Sequence, residues 1–421
     1  MSDQVLHLSS LVGGPLLDSG GERLGRVEDV IVRLDVGDRL PPVTGLKVRI
    51  GGRDLFVFVP ADRLERLEPH AARVSTTRLN LAQFERRPRE VLLRGDLLGR
   101  SVINVATARL VKAREVELVR DAGTWRVAGI VPALGAGIRR FLPRRFRGRE
   151  REHSEFVPWA QIEPFVGHVP SSPLRLAPRR LANLHPAQIA DLVEAASHDE
   201  GEEILEAVGQ DKELEADVFE ELDDEHQVEF LHERSNEEVA GVLARMASDD
   251  AADLLLEIEQ DRRTPVLDLL PASKQLKIKR LLGYNPSTAG GLMNPDFALL
   301  PADATVDQAL TRLRGSELPP GQLLVLWAIG TDGHLIGGVF ASELVQAAGQ
   351  TAVTSLIKTR VPTVSPETEL PEVARLMADF DLLAIPVIDP GEKPIGVVAF
   401  DDVLELLIPD EWRRRAGSAR G

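Results

Sequence analysis

Asp249 and Asp253 stand four residues apart in a segment with helical patterning, a spacing that sets both carboxylates on one helix face. Like charges in that register repel by a few tenths of a kcal/mol, and a cation between them would relieve the repulsion. Magnesium suits such a pair, because it takes oxygen ligands, keeps several waters and needs only one or two carboxylates from the protein. An ordinary solvated acidic face is the alternative reading. The chain has no cysteine, which excludes disulfides, thiolate metal sites and a cysteine nucleophile and leaves hard cations as the main metal chemistry. No Walker-type phosphate loop, Gly-x-Ser-x-Gly elbow or His-Glu-x-x-His motif occurs. His185 fits the start of a helix, His198, His226 and His232 fall on or beside polar helix faces, and the sequence reads as a non-enzyme. A second kind of chemistry lies in residues 138–151, where seven arginines interleave with Phe141, Leu142 and Phe146. That composition suits an anionic membrane surface or nucleic acid, and equally a solvated loop or a contact for the chain's own acidic segment.

The elements that must position these groups divide into modules. At 421 residues the chain exceeds a single hydrophobic core. Its net charge of −16 is uneven, with residues 1–170 at +7 and residues 181–295 at −18, so the modules are expected to meet different partners. Apolar runs such as Leu323–Ile329 are far shorter than the roughly 20 residues that span a bilayer, and no secretory leader opens the sequence, so a cytoplasmic location is expected.

Strands are expected at Arg26–Leu34, Val43–Ile50 and Asp54–Pro60, and the plan repeats between residues 91 and 166. The repeat is read by matching Leu98-Gly99-Arg100 to Leu24-Gly25-Arg26, and Val157-Pro158-Trp159-Ala160 to Val59-Pro60-Ala61-Asp62. Helix starts recur near Pro186, Asp199, Asp211, Asp223, Asn236 and Asp249, with a capping box at Ser235 and Glu238, which predicts stacked short hairpins. From about residue 295 two copies of a helix-strand-strand-helix unit follow each other. The fold class is therefore multidomain α+β: two small β-barrels, an α-solenoid of short helical hairpins and an α/β pair. The expected boundaries are 1–80, 90–169 with an inserted loop at 138–151, a linker at 170–182, 183–294, 295–350 and 351–410.

The two β-rich stretches resemble the PRC-barrel family, through Val27-Glu28-Asp29-Val30, Val102-Ile103-Asn104-Val105 and the closing Val-Pro steps. A more specific resemblance begins with Leu184-His185-Pro186-Ala187-Gln188 and the run Tyr284-Asn285-Pro286-Ser287-Thr288-Ala289-Gly290-Gly291-Leu292-Met293-Asn294-Pro295. Together with Gly396-Val397-Val398-Ala399-Phe400-Asp401-Asp402-Val403-Leu404, these look like the cytosolic N domain and CBS pair of MgtE-type magnesium transporters, over about residues 183–408. The family's membrane domain has no counterpart here, so the expectation is a sensor without a pore.

The resemblance implies metal sites residue by residue. Asp249 would share an ion with Asp402, Asp217 and Asp253 would hold another with a carbonyl at Gly291, and Glu369 and Asp381 fall at CBS carboxylate positions. Glu369 stands where an aspartate is usual and Pro371 replaces an acidic residue, which weakens the CBS set. Magnesium, with manganese, cobalt or calcium as competitors, is the implied cofactor, and it would close the two domains on each other. Adenine nucleotide is the lesser expectation, because Ala399, Phe340 and Glu343 replace residues of the usual cleft signature. The implied assembly is a homodimer through the CBS domains. Its expected partner is a membrane transporter or an anionic membrane surface at the inner face, with nucleic acid disfavoured. The rival functions are a nucleotide-responsive CBS scaffold and a membrane or nucleic-acid adaptor acting through the barrels and the arginine loop.

Overall fold

The computed structural model describes residues 5–34, 40–51, 55–75, 80, 82–87, 90–121, 123–133, 156–164, 181–357 and 361–409. The arginine loop at 138–151 and most of the expected linker at 170–182 lie outside the described residues. The chain is mixed α+β and forms two compact units that meet in sequence at Leu222 and Asp223, inside the helical repeat. Among the described residues, no helix is long and apolar enough to cross a membrane.

The first unit opens with β1 (Val5–His7), a one-turn helix α1 (Leu8–Leu11), β2 (Pro15–Leu17), β3 (Arg23–Arg33), β4 (Val43–Ile50), β5 (Leu55–Pro60), β6 (Leu64–Glu68) and β7 (Ala71–Val74). Next come β8 (Glu90–Leu92), a turn at Leu93–Leu97, β9 (Ser101–Asn104), β10 (Arg109–Asp121), β11 (Thr124–Pro132), β12 (Val157–Pro158) and β13 (Ile162–Pro164). One sheet runs β5-β4-β3-β2-β7-β6 and the other β12-β11-β10-β9-β13. Alternation of apolar residues sets their inner faces: Val27, Val30 and Val32 on β3 and Trp125, Val127 and Ile130 on β11 are buried.

The two halves exchange strands reciprocally. β1, at the head of the first half, pairs with β10 of the second, Val5 opposite Val119 and His7 opposite Glu117. β8, at the head of the second half, pairs with β3 of the first, Ile31 opposite Leu92 and Arg33 opposite Glu90. One continuous core, from Leu6 to Ile162, fills both sheets.

Hydrogen bonding also corrects the register of the internal repeat. The Gly13 N–H donates to Val27 O at 2.8 Å and the Gly99 N–H to Ala113 O at 2.6 Å, while Val27 and Ala113 donate back to Gly14 and Arg100, both at 2.9 Å. Gly13 and Gly99 both take a positive φ, 88° and 79°, which other residues adopt only with strain. Asp18 and Asn104 likewise each accept the N–H two residues on. Leu98-Gly99-Arg100 therefore corresponds to Val12-Gly13-Gly14, not to Leu24-Gly25-Arg26, and Asn104 corresponds to Asp18 rather than to Asp29. The Val-Pro correspondence stands: Pro60 pairs with Gly45 as Pro158 pairs with Gly129, and each is followed by a 3-10 turn.

Helices α2 (Pro186–Glu194), α3 (His198–Val208) and α4 (Lys212–Glu221) complete the first unit, with α2 packed on α3 and α4. Proline at the first helical position and a His185/Gln188 capping box start α2.

The second unit begins with α5 (Asp224–His232), α6 (Asn236–Leu243), α7 (Ser248–Glu257), α8 (Gln260–Leu269) and α9 (Ala272–Leu281). Alternate helices pack together, α5 on α7, α6 on α8 and α7 on α9. Arg262 of α8 ties the α5–α6 turn by donating to Leu231 O at 3.2 Å, Arg234 O at 2.6 Å and Asn236 Oδ1 at 2.9 Å. Two copies of the helix-strand-strand-helix unit follow. A first sheet holds β14 (Leu299–Pro301), β15 (Val325–Ile329) and β16 (Leu335–Phe340), with α11 (Val306–Arg314) and α12 (Ala341–Gln346), after a short turn of helix α10 (Ala289–Leu292). The second copy comprises α13 (Leu370–Asp379), β17 (Ala384–Ile388), β18 (Pro394–Ala399) and α14 (Phe400–Leu407). The segment between α10 and β14 is stitched to the second copy: Asn294 N–H donates to Val397 O at 2.7 Å and Val397 N–H to Asn294 O at 3.0 Å. Met293 lies so close beneath β18 that a Cβ at Gly396 would stand 2.7 Å from its sulfur.

Candidate metal centre

Two helix starts bring their acidic first turns together. α7 opens Ser248-Asp249-Asp250, and α14 opens Phe400-Asp401-Asp402. Acidic residues suit such positions, where unpaired N–H groups and the helix dipole favour negative charge. The Ala399 N–H serves the Asp402 carboxyl in this way.

Asp249 is 8% exposed, and its Oδ1 is buried with no hydrogen-bond partner. Burial pushes its carboxyl well above the usual range, with repulsion from Asp250 and Asp402 adding to the effect. Asp402 is half-buried and is pushed up to about 7, first by desolvation and then by Asp401, Asp250 and Glu405. Asp402 raises the cost of ionising Asp249, and Asp250 raises that of both, which is the electrostatic condition a divalent cation removes.

The loop before α7 is held from two directions. Ser248 is wholly buried and its hydroxyl donates to Asp296 Oδ2 at 2.8 Å. Lys277 of α9 pairs with Asp296 Oδ1, and the buried Lys274 ammonium donates to Met246 O. The Asp296 N–H donates to Asn294 Oδ1 at 2.8 Å, joining this network to the stitched segment.

Of the residues implied by the sequence, Asp249 and Asp402 are brought together. Asp253 lies one turn further along α7; the residue is exposed, but partial desolvation of its carboxyl end, then Asp224 and Glu257, raise it to about 6. Gly291 sits in α10 against the preceding turn, where a Cβ would meet Asn285 O at 2.5 Å. Glu369 and Asp381 are exposed at opposite ends of α13, Glu369 at its N-cap and Asp381 just beyond its C-terminus at φ 51°. A helix of that length separates them by about 18 Å, so they do not share an ion within one copy. Asp217 belongs to the first unit, exposed on α4, with its carboxyl raised by desolvation and then by Glu213 and Asp211.

Sequence reasoning missed Asp250, Ser248, Lys277 and Asp296. Asp250 was legible as the second acid of a helix first turn. Asp296 two residues after Asn294 carried an Asx-turn signal.

Residues 184–287 match the family described as the MgtE intracellular N domain, and residues 353–409 match the CBS domain. The chain is 29% identical over 195 residues to the magnesium transporter MgtE of Thermus thermophilus, covering 46% of this chain and 43% of the relative. It is 27% identical over 207 residues to MgtE of Bacillus subtilis, covering 48% and 46%. The match thus spans less than half the length of these curated relatives. Among solved structures, the soluble part of a magnesium transporter is similar at TM-score 0.50 and 24% identity, over 54% of this chain and 90% of that one. The cytosolic domain of the Mg2+ channel MgtE in complex with ATP is similar at TM-score 0.50 and 28% identity, over 54% and 92%.

Proposed function

We propose that this chain is a magnesium-responsive regulatory protein in which Asp249 and Asp402 hold one Mg2+ between the helical domain and the second CBS copy. The observation that carries the reading is the buried Asp249 oxygen with no partner, facing a second raised aspartate. Two carboxylates and retained waters meet the needs of magnesium, which neutralises both charges when bound. Ion binding shifts the population toward the closed arrangement by its preference for that form, and this arrangement modulates magnesium transport through a membrane partner. Asp253 and the Gly291 carbonyl belong to the proposal as a second set. Glu369 and Asp381 would contribute only across two copies. The exposed Phe400, Leu404 and Leu407 on one side of α14, with Phe380 and Leu383 nearby in sequence, support a homodimer through the CBS pair. The PRC-barrel-like part and residues 138–151 would face the partner or an anionic membrane surface.

Small-angle scattering and calorimetry of the full chain across roughly 0 to 20 mM Mg2+ test this, the range weak carboxylate sites require. Saturable heat and compaction in the wild type, both lost in Asp249→Asn/Asp402→Asn, are expected. An unchanged response in the double variant overturns the assignment.

A second reading is favoured by the relative solved with ATP. In this chain Glu343 folds back toward the Phe340 N–H at 3.4 Å, at the start of its own helix. Thermal shift with ATP, ADP and AMP in EDTA separates the two readings.

A further inference from the structure

The acidic pair is registered by a path of short contacts that contains no metal ligand. From β18, which leads directly into α14 and Asp402, two main-chain hydrogen bonds connect Val397 to Asn294. The Asn294 side chain accepts the Asp296 N–H at 2.8 Å, and Asp296 accepts the Ser248 hydroxyl at 2.8 Å. Ser248 is the residue before Asp249 and is wholly buried. Lys277, from α9, fixes the other oxygen of Asp296 and balances its charge. Asp296 differs from Asp249 in that both its oxygens are engaged, one by a hydroxyl and one by an ammonium, so it has little capacity left for an added cation.

We propose that Asp296, held by Lys277 and Asn294, is a positioning residue: it latches the start of α7 to the second CBS copy and raises the fraction of ion-free molecules in which Asp249 stands opposite Asp402, a fraction that the ion then enlarges. The proposal deepens the metal reading above and rests on it only for its effect on affinity. A site that is already assembled binds an ion with its intrinsic affinity, whereas a site assembled in a fraction of molecules binds more weakly by that fraction. Removing the latch therefore weakens magnesium binding without removing a ligand.

The absence of cysteine gives a clean test. Spin labels on Glu237→Cys in α6 and Glu372→Cys in α13, both exposed positions, report the distance between the helical domain and the second CBS copy in the full chain. In EDTA the wild-type background is expected to give a distribution with a distinct narrow component at the assembled distance, which Mg2+ enlarges. Asp296→Ala and Ser248→Ala should deplete that component and so broaden the distribution, Lys277→Met should deplete it less, and Lys277→Arg should retain it. In calorimetry with Mg2+, Asp296→Ala is expected to raise the binding midpoint about tenfold, the change produced when the assembled fraction falls to about a tenth. Far-UV circular dichroism of each variant confirms that the helices remain. An unchanged distribution for Asp296→Ala in EDTA overturns the latch whatever magnesium does. A wild-type chain that ignores magnesium but opens when Asp296 is removed overturns the metal reading and leaves the latch standing. A broadened distribution with an unchanged Mg2+ midpoint refutes the positioning role.

Discussion

Two buried aspartates, one in each unit, meet their surroundings in opposite ways. Asp29 on β3 is 5% exposed and accepts the N–H groups of Val30 at 2.8 Å, Arg94 at 2.7 Å and Gly95 at 2.9 Å. Its carboxyl is pushed up to about 6 by burial, against which these three donors act, with Asp96 adding a smaller push upward. Asp249 is buried to a similar degree, but its Oδ1 has no partner, its charged neighbours are carboxylates, and the Asp249 and Asp250 N–H groups only partly offset the upward push on its carboxyl. A buried carboxylate supplied with main-chain donors is a brace, because it satisfies N–H groups that would otherwise be stranded. A buried carboxylate facing other acids is incomplete without something cationic. Burial alone, common to both, does not distinguish structural from functional acids; the donors do.

The largest effect that could break this contrast is at Asp29. Asp29→Ala strands the Arg94 and Gly95 N–H groups, at roughly 1–3 kcal/mol each, so denaturant unfolding should show the first unit destabilised by about 3–5 kcal/mol. A loss under 1 kcal/mol would remove the brace from the comparison. The opposite sign is expected for Asp249→Asn, which deletes a buried charge and its repulsion. In EDTA its melting temperature should rise above that of wild type, and the stabilisation by Mg2+ expected of wild type should vanish. An Asn variant less stable than wild type in EDTA would mean that the Asp249 and Asp250 N–H groups, which act against the upward push, outweigh the repulsion from the neighbouring acids.

A smaller and more graded effect should appear with pH. The carboxyls of Asp402, near 7, and Asp253, near 6, lie above the unfolded value of 3.8. The folded state then holds more protons than the unfolded state between those limits, so their contribution to stability is full below about pH 4 and is lost as pH rises through 6 to 7. Metal-free protein should accordingly lose stability in its second unit between pH 5 and 8. Magnesium competes with the same protons, and its midpoint should tighten about tenfold from pH 6 to 8 for each proton displaced from a group near 7. Titrations at pH 6, 7 and 8 check this, and a flat profile would place the ion elsewhere.

The local elements were legible because they carry strong periodic signals. The bounds of β4 match the residues expected for it, and the helix starts at Pro186 and Asn236 follow from a proline and a Ser-x-x-Glu box. Asp249 and Asp402 were legible through resemblance, and Asp249 with Asp253 through spacing, although the structure pairs Asp249 with an acid 153 positions along the chain rather than with its own helix neighbour. The repeat register was misread because a Leu-Gly-Arg tripeptide is a short and common string. The true correspondence rests on Gly13 and Gly99, whose shared backbone geometry leaves only a single glycine in each sequence. Strand exchange and the Ser248–Asp296–Lys277 network were hidden for a different reason: both depend on which distant segments meet, and local patterning carries no record of that.

The exchange of β1 and β8 also orders events during synthesis. As the chain emerges from its N-terminus, the first sheet cannot close until Glu90–Leu92 has been made, and Val5–His7 waits longer still for β10. The two sheets therefore mature together, from a nascent stretch of more than a hundred residues, rather than one after the other. A lesion in Val5–His7 would be felt in the sheet that is made last.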